Sequence, residues 1–238
     1  PPVQPSHDPE TGELYTGTLY YNGLIESRDA NDDLVVFRNI GNAFAELNLF
    51  KGLKFRSSFG LDLLNQREDQ FGGRYTQDGA PTGLGFSRAV QVVKSSFENY
   101  FSYNKDFGDN LKLNSVLGMS YESSNSQITS VQAKGFPSDD FKTIANASET
   151  TAHWSSIDDF TYVSYFLRGE LNVKGRYLFS ASVRTDGSSR FGINSRYGVF
   201  PAGSFGWIIT NEPFLSENNT LSFLKLRSSY GLTGNSEI

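Results

Sequence analysis

Hydrophobic and polar side chains alternate along much of this chain, most clearly in residues 176–214. The first half of that stretch places Tyr177 and Phe179 on one side and Ser180 and Arg184 on the other. Alternation with a period of two residues predicts a β-strand with one apolar and one polar face. A Gly/Ser-rich connection and a second alternating run follow, so the stretch is predicted to form a hairpin of two strands.

The same alternation recurs along the rest of the chain and predicts an all-β protein, an antiparallel up-and-down meander of about eight long strands. The predicted strands cover, approximately, residues 35–49, 53–67, 97–103, 111–131, 157–173, 177–185, 197–210 and 224–232.

The apolar pattern also predicts the geometry of one turn. Leu49 and Leu53 lie on the same face, which requires an odd number of residues between the two strands. We therefore expect a three-residue turn at 50–52 with Gly52 in the left-handed conformation. Residues 174–176 have the same chemistry, so a second turn of this kind is predicted there.

The predicted connections alternate between short and long. Short connections at 50–52, 104–110 and 174–176 are interleaved with long loops at 1–34, 68–87 and 132–156. Two connections of intermediate length follow, at 186–196 and 211–222. The second is expected to contain a short helical turn. A meander with two unlike ends is typical of outer-membrane barrels, which have short turns on one side and long loops on the other.

The two faces of the predicted strands suit different surroundings, one apolar and the other aqueous. Charged residues recur in the middle of strands, and a dry core would not accept them without partners. Most predicted strands also reach the roughly 9 to 11 residues needed to cross a membrane. The pattern therefore favours a barrel with a lipid-facing apolar face and a wet lumen, while a soluble β-sandwich with its apolar face inward remains the alternative. The predicted lipid-facing residues are Leu53, Phe55, Phe59, Leu61, Phe101, Leu113, Leu117, Phe179, Val183, Phe205, Trp207 and Leu226, and the predicted lumen-facing residues are Lys54, Arg56, Lys112, Glu122, Arg184 and Arg227. An aromatic girdle is predicted at the short-turn ends, from Tyr103, Tyr177 and Trp207.

Composition and motifs argue against several other classes. The net charge of -5 gives no reason to expect a nucleic-acid partner, and no apolar run is long enough for a membrane-spanning helix. The two histidines, His7 and His153, fall in predicted loops, and neither a nucleophile elbow nor a phosphate-loop motif is present. A calcium loop that started at Asp29 would need Gly and Glu where this chain has Leu34 and Ile40. We therefore expect no enzymatic activity, no metal site and no cofactor.

Several segments taken together resemble the barrel of the SusC/RagA group of TonB-dependent outer-membrane transporters. The resemblance covers most of residues 40–238. The matching segments are Gly41-Asn42-Ala43, residues 51–56, Gly135-Phe136-Pro137, residues 175–179, residues 184–192, Phe200-Pro201, Gly206-Trp207, Asn211-Glu212-Pro213-Phe214 and residues 224–235.

The resemblance implies active import of glycans or peptides across the outer membrane of a Bacteroidetes-type bacterium. It also implies energy supplied by the TonB complex and a SusD-like surface lipoprotein that lids the barrel. Members of the group have barrels of about 22 strands. The plug, the TonB box and the closing strand are missing from these 238 residues, so a partial barrel domain is expected, with an extracellular loop at 1–34 and barrel strands and loops at 35–238.

Two other functions remain open at this point: a soluble carbohydrate-binding β-sandwich, and an outer-membrane adhesin or enzyme barrel. The sequence does not identify the substrate or the residues that contact it. Aromatic residues of the loops, Tyr20, Tyr21, Phe71 and Tyr75, are candidates for stacking on sugar rings, although loop packing or lid contact would explain them equally well.

Overall fold

Eight β-strands form one antiparallel sheet in which neighbours in sequence are neighbours in space. The computed structural model describes residues 5–16, 22–192, 195–215 and 220–234. The strands are β1 (Ala30–Phe50), β2 (Leu53–Gly72), β3 (Leu84–Phe107), β4 (Leu111–Lys134), β5 (Glu149–Val173), β6 (Tyr177–Ser188), β7 (Tyr197–Ile208) and β8 (Lys225–Gly231). One α-helix, α1 (Gly23–Asp29), and short 3-10 helices at Ile144–Asn146, Ile209–Asn211 and Pro213–Leu215 complete the described elements. The predicted meander is confirmed, as is the helical turn expected in the last connection.

The strands extend further into the predicted long loops than hydrophobic alternation indicated. The predicted loop at 68–87 shrinks to residues 73–83, and the one at 132–156 shrinks to residues 135–148. These boundaries were wrong because the added strand residues do not show one apolar and one polar face. Residues 68–72 and 149–156 are mostly polar, whereas residues 84–96 place apolar side chains such as Phe86 and Val93 on both faces. Their pairing depends on the backbone and gives no alternating hydrophobic pattern. His153 consequently lies in β5 and not in a loop.

The first 34 residues also contain regular structure that the sequence did not predict. Helix α1 begins after Asn22, whose side chain accepts a hydrogen bond from the amide of Leu24, and its buried residue is Ile25. Strand β1 follows at once from Ala30, five residues before the predicted start. The candidate aromatic residues Tyr20 and Tyr21 lie outside the described residues.

The short turns have the predicted handedness. Gly52, Gly108 and Gly175 have φ angles of 88°, 68° and 66°, and Lys174 joins them with a φ of 57°. Val173 pairs with Tyr177, which confirms a three-residue turn at 174–176. The predicted connection at 104–110 shortens to three residues, 108–110, because β3 continues to Phe107.

At the short-turn end, hydrogen bonds join each hairpin to the next one. The amide of Asn104 donates to the carbonyl of Gly52 (2.8 Å), that of Lys174 to Asn110 (2.6 Å) and that of Ile208 to Arg176 (2.8 Å). The ladder between neighbouring hairpins therefore continues into the turns themselves.

Burial differs between two compact units of the chain. Unit 1 contains residues 1–39, 62–93 and 125–158, and unit 2 contains residues 40–61, 94–124 and 159–238. The buried apolar side chains of the described residues are Ile25, Phe71, Ala133 and Phe136, all in unit 1.

The β-sandwich alternative requires a second sheet over the apolar face. The strands of the described ranges form a single sheet, and the apolar face in unit 2 stays open, with Leu117 55% and Phe179 46% exposed. The sandwich interpretation is therefore wrong. Across the described residues, no helix has the length and apolar character needed to cross a membrane.

Candidate functional site

One face of the sheet carries the charged side chains, and contacts between strands define it. Arg38 donates two hydrogen bonds to Asp62 (2.9 and 2.7 Å), and Lys54 pairs with Glu46 (2.9 Å). These pairs join even-numbered residues of β1 and β2, which is the parity that the odd turn at 50–52 predicts.

Contacts between the other strands also join even-numbered residues. A Cβ on Gly60 of β2 would lie 2.5 Å from the hydroxyl of Ser96 on β3. A Cβ on Gly118 of β4 would lie 2.6 Å from Tyr100 of β3 and 2.5 Å from Phe166 of β5. The even-numbered positions of β1–β7, together with the odd-numbered positions of β8 set by the β7–β8 register, therefore form one face, which we name the charged face.

Within unit 2, the polar groups of the charged face are paired in ways that suit a wet surface. Arg184 donates to Asp186 (2.6 Å) and to the buried hydroxyl of Ser164 (2.9 Å), and Arg56 lies 4.0 Å over the ring of Phe44. The Lys54–Glu46 pair is 48% and 35% exposed, so solvent screens it and it stabilises the sheet only weakly. The six residues predicted to face the lumen all lie on this face by parity.

The opposite face carries apolar and aromatic side chains, and we name it the apolar face. Ring contacts join neighbouring strands along it: Phe55 to Phe101 at 4.9 Å and Phe179 to Phe205 at 5.2 Å between centroids. All twelve residues predicted to face lipid lie on it by parity, including Leu226, which pairs with Trp207.

A buried carboxylate joins the aromatic pair at the short-turn end of unit 2. Glu212, 6% exposed, accepts hydrogen bonds from the hydroxyl of Tyr177 (2.7 Å) and the indole of Trp207 (2.9 Å), and it also binds Arg176 (3.3 Å). The Tyr177 and Trp207 rings are stacked, with centroids 6.5 Å apart. The hydrogen bonds from Tyr177 and Trp207, with a further contribution from Arg176, lower the pKa of Glu212 below its ordinary value. This Glu212 cluster fixes the connection after β7 against the β5–β6 turn, where Asn211 also donates to the carbonyl of Gly175 (2.8 Å).

Sequence reasoning identified the members of the Glu212 cluster only as separate motifs. Tyr177 and Trp207 were predicted as girdle residues, and Glu212 was placed in a closing connection. The sequence feature that could have indicated the cluster is Glu212 itself, a single acidic residue before Pro213 and Phe214 and five residues after Trp207.

The loops of unit 1 are held together by a second cluster. Phe71 packs edge-on against Phe136 with ring centroids 5.0 Å apart, and Arg74 donates to the carbonyl of Phe136 (2.7 Å). The backbone amide of Arg74 also donates to Asp139 (3.2 Å). Phe71 is only 4% exposed, so its ring is used for loop packing and is not free to stack on a sugar.

A concavity of about 590 Å³ lies on the charged-face side of unit 1. Glu26, Asp32 and Asp78 contribute carboxylates, Gln70 and Gln132 contribute amides, and neither Lys nor Arg is among the lining residues. Glu26 is held in place because it accepts a hydrogen bond from the amide of Gln77 (2.5 Å). Such a surface offers many hydrogen-bond acceptors to a ligand. Among the described residues, no group of three or more His, Cys, Asp or Glu side chains is arranged to hold a metal ion.

Comparison with known proteins identifies the family. The TonB-dependent receptor P39 of Formosa agariphila is 33% identical over 200 residues, which is 82% of this chain and 19% of the receptor. The TonB-dependent receptor SusC of Bacteroides thetaiotaomicron is 49% identical over 78 residues, 33% of this chain and 8% of that protein. The RagAB peptide transporter structure matches 95% of this chain and 26% of its own, with a TM-score of 0.86 and 27% identity. This chain belongs with the SusC/RagA-type TonB-dependent transporters. No family model matches it.

The extent of these matches limits what they say about this chain. The SusC/RagA-type chain spans about a fifth of the curated relatives that match most of it. Those relatives are named as receptors and not as enzymes, which agrees with the expectation that this wall of strands has no catalytic role. The RagAB title describes a peptide transporter, and that description applies to RagAB.

Proposed function

We propose that this chain forms part of the wall of an outer-membrane barrel that imports oligosaccharides or peptides. In this proposal the complete barrel has about 22 strands, the apolar face meets lipid and the charged face lines the lumen. Import is driven by the TonB complex through a plug domain, and a SusD-like surface lipoprotein lids the barrel. The loops between long strands are extracellular, together with residues 1–29.

The observation that carries the proposal is the difference between the two faces of one uncovered sheet. Charged residues on one face find partners across neighbouring strands, whereas the other face exposes aromatic and aliphatic side chains that water alone would not tolerate in such number. A lipid-facing position accommodates the apolar face of long, fully paired strands without a second protein layer, which supports the proposal.

The substrate is proposed from the concavity of unit 1. Its carboxylates and amides would accept hydrogen bonds from the hydroxyl groups of a sugar or the amide and amino groups of a peptide. Tyr75, 56% exposed, remains available as an apolar contact at the loops.

The flanking coding sequence gives the first test, since a plug and TonB box upstream and a SusD-like gene nearby are expected. The second test uses the full-length transporter in its native outer membrane. Deletion of its gene should abolish uptake of a defined set of labelled oligosaccharides or peptides, deletion of TonB should have the same effect, and a tag on the transporter should co-purify the lipoprotein. Fractionation of the full-length protein into the periplasm or cytosol would refute the proposal.

A further inference from the structure

A small cavity lies on the charged face of unit 2, at the end of β6 that is remote from the short turns. Its volume is about 190 Å³, and its lining on this face includes Tyr162, Asp186, Ser188, Gly198 and Phe200. Sites that enclose a drug-sized ligand measure about 300 to 1,000 Å³. This cavity is smaller, so it admits one unit of a larger molecule.

The ring of Phe200 lies along the sheet because two glycines leave room for it. A Cβ on Gly198, the preceding residue on the same face of β7, would lie 2.7 Å from Cζ of Phe200. A Cβ on Gly234, which follows β8, would lie 2.6 Å from the same atom. The ring therefore occupies the space of two missing side chains. Because it also lines the cavity, one side of the ring stays open to a ligand.

The polar groups beside this ring are held in fixed positions. Arg184 pairs with Phe200 in the β6–β7 register. Its guanidinium donates to the carboxylate of Asp186 (2.6 Å) and to the buried hydroxyl of Ser164 (2.9 Å), and the Tyr162 hydroxyl also hydrogen-bonds to Asp186. A carboxylate has about four acceptor positions, so Asp186 can still accept hydrogen bonds from a ligand. An apolar ring and a preorganised acceptor thus lie side by side.

A second aromatic ring lies in the same row of the sheet. Phe166 on β5 pairs with Arg184, which pairs with Phe200, so the two phenylalanines are two strand spacings apart, about 9.5 Å. A Cβ on Gly118 of β4 would lie 2.5 Å from Cζ of Phe166, so this ring also extends over a glycine. The charged face therefore carries two rings seated over glycines, with a guanidinium between them.

These features favour a carbohydrate ligand over a peptide. A sugar ring has an apolar C–H face that can stack on an aromatic ring, and its hydroxyl groups both donate to carboxylates and accept from guanidinium groups. An extended peptide is commonly recognised by adding a strand to an open sheet edge. Strands β5, β6 and β7 are each paired on both sides, so their backbones offer a peptide no such edge.

We propose that Tyr162, Arg184, Asp186 and Phe200, which we name the Phe200 site, bind one sugar unit of an oligosaccharide. The sugar ring stacks on Phe200, its hydroxyl groups bind Asp186 and Arg184, and Phe166 contacts a neighbouring unit of the same oligosaccharide. The inference rests on the proposed function, because it requires the charged face to line the lumen. It narrows the proposed cargo from oligosaccharides or peptides to oligosaccharides.

Binding to the full-length transporter in detergent micelles tests the inference. The probes are an array of neutral and acidic oligosaccharides and a tryptic digest of casein. Phe200→Leu keeps most of the apolar bulk but removes the flat ring, and Phe205→Leu makes the same change on the opposite face of β7. Gly198→Ala leaves Phe200 in place but displaces its ring. Gly203→Ala is its matched control on the same strand, because its added Cβ makes only an ordinary contact at 3.8 Å.

The unmodified transporter should bind a defined group of oligosaccharides from the array and no casein peptide. For those oligosaccharides, the Kd should rise about threefold to tenfold in Phe200→Leu and in Gly198→Ala, which corresponds to the loss of one aromatic stacking contact. The Kd should stay unchanged in Phe205→Leu and Gly203→Ala. The melting temperature of the SDS-resistant form should be similar in Phe200→Leu and Phe205→Leu, which separates loss of the ring from loss of the fold.

Three results would overturn the inference: no oligosaccharide bound by the unmodified transporter, an unchanged Kd in both site variants, or equal weakening by Phe200→Leu and Phe205→Leu. Each of them leaves the outer-membrane transporter intact. The proposed function is refuted separately, by fractionation of the full-length protein into the periplasm or cytosol. A variant that does not fold is recognised by loss of SDS-resistant migration, and the other site variant with its own control then decides.

Discussion

Replacing Gly52 with alanine tests how firmly the short turns are held to the next hairpin. Gly108 offers a matched control, since both glycines lie in short turns and have positive φ angles, 88° and 68°. They differ in their surroundings. An added Cβ at Gly52 would approach the carbonyl oxygen of Asn104 well inside the 3.0 Å that real Cβ atoms respect, whereas at Gly108 nothing lies within 4 Å.

The expected cost has one shared part and one part that belongs to Gly52 alone. The left-handed conformation costs an alanine about 1 to 2 kcal/mol at either site. At Gly52 the methyl group must also displace Asn104, whose amide donates to the Gly52 carbonyl at 2.8 Å. Losing that hydrogen bond costs about 0.5 to 1.5 kcal/mol. We therefore expect Gly52→Ala to destabilise the barrel by about 1.5 to 3.5 kcal/mol, and Gly108→Ala by about 1 to 2 kcal/mol.

The measurement is urea unfolding of the full-length transporter in lipid vesicles, followed by loss of its SDS-resistant form. The difference in free energy is obtained from the shift in midpoint at constant slope. Equal shifts for the two variants would refute the reasoning, because they would mean that the turn at Gly52 moves away from Asn104 at no cost.

Three further predictions concern the other sites. Because the pKa of Glu212 is lowered in the folded state, its contribution to stability is complete above the ordinary glutamate pKa and is lost as the pH falls through the folded pKa. Glu212→Gln should therefore remove this loss of stability at acid pH, measured as the pH dependence of the thermal unfolding midpoint. An unchanged pH profile would contradict the role of the Glu212 cluster. Phe136→Ala should cost about 3 to 5 kcal/mol of local stability and expose the loops of unit 1 to protease, whereas Phe141→Ala, at a 54% exposed position, should leave the cleavage rate as it is. Leu117→Lys, on the apolar face that is proposed to meet lipid, should cost about 2 to 4 kcal/mol in urea unfolding while Asn114→Lys, on the charged face of the same strand, costs close to nothing, and similar costs at both sites would argue against a lipid-facing apolar face.

Sequence patterns predicted the fold where a strand has two unlike faces. Leu49 and Leu53 were enough to predict an odd turn, and the Lys54–Glu46 pair lies where that turn places it. The same reasoning assigned every predicted lipid-facing and lumen-facing residue to a consistent face, because parity survives across three-residue turns.

The patterns failed where a strand lacks one apolar and one polar face. Asp69 continues β2 beyond its predicted end at residue 67, and Ser87 of β3 donates to Asp69 at 2.6 Å. A polar run of this kind has the composition of a loop, so its strand conformation depends on the neighbouring strand and could not be predicted from period alone.

The Glu212 cluster was beyond prediction for a different reason. Its carboxylate meets Tyr177 and Arg176 from more than thirty positions away in sequence, after two strands have been placed. Only the β6–β7 register, which sets Tyr177 opposite Trp207, brings the three groups together. The cluster of unit 1 is similar, since Phe71 lies at the end of β2 and Phe136 lies in the connection after β4.

The hydrogen bonds that join neighbouring hairpins at the short-turn end have a mechanical consequence. Because the ladder reaches the turns at Gly52, Asn110 and Arg176, the strand ends next to these three turns are held to their neighbours. Ladder hydrogen bonds lie perpendicular to their strands, so a pull directed along the strands loads many of them in shear at once. The short-turn edge of the sheet should therefore carry a load along its strands without unzipping strand by strand.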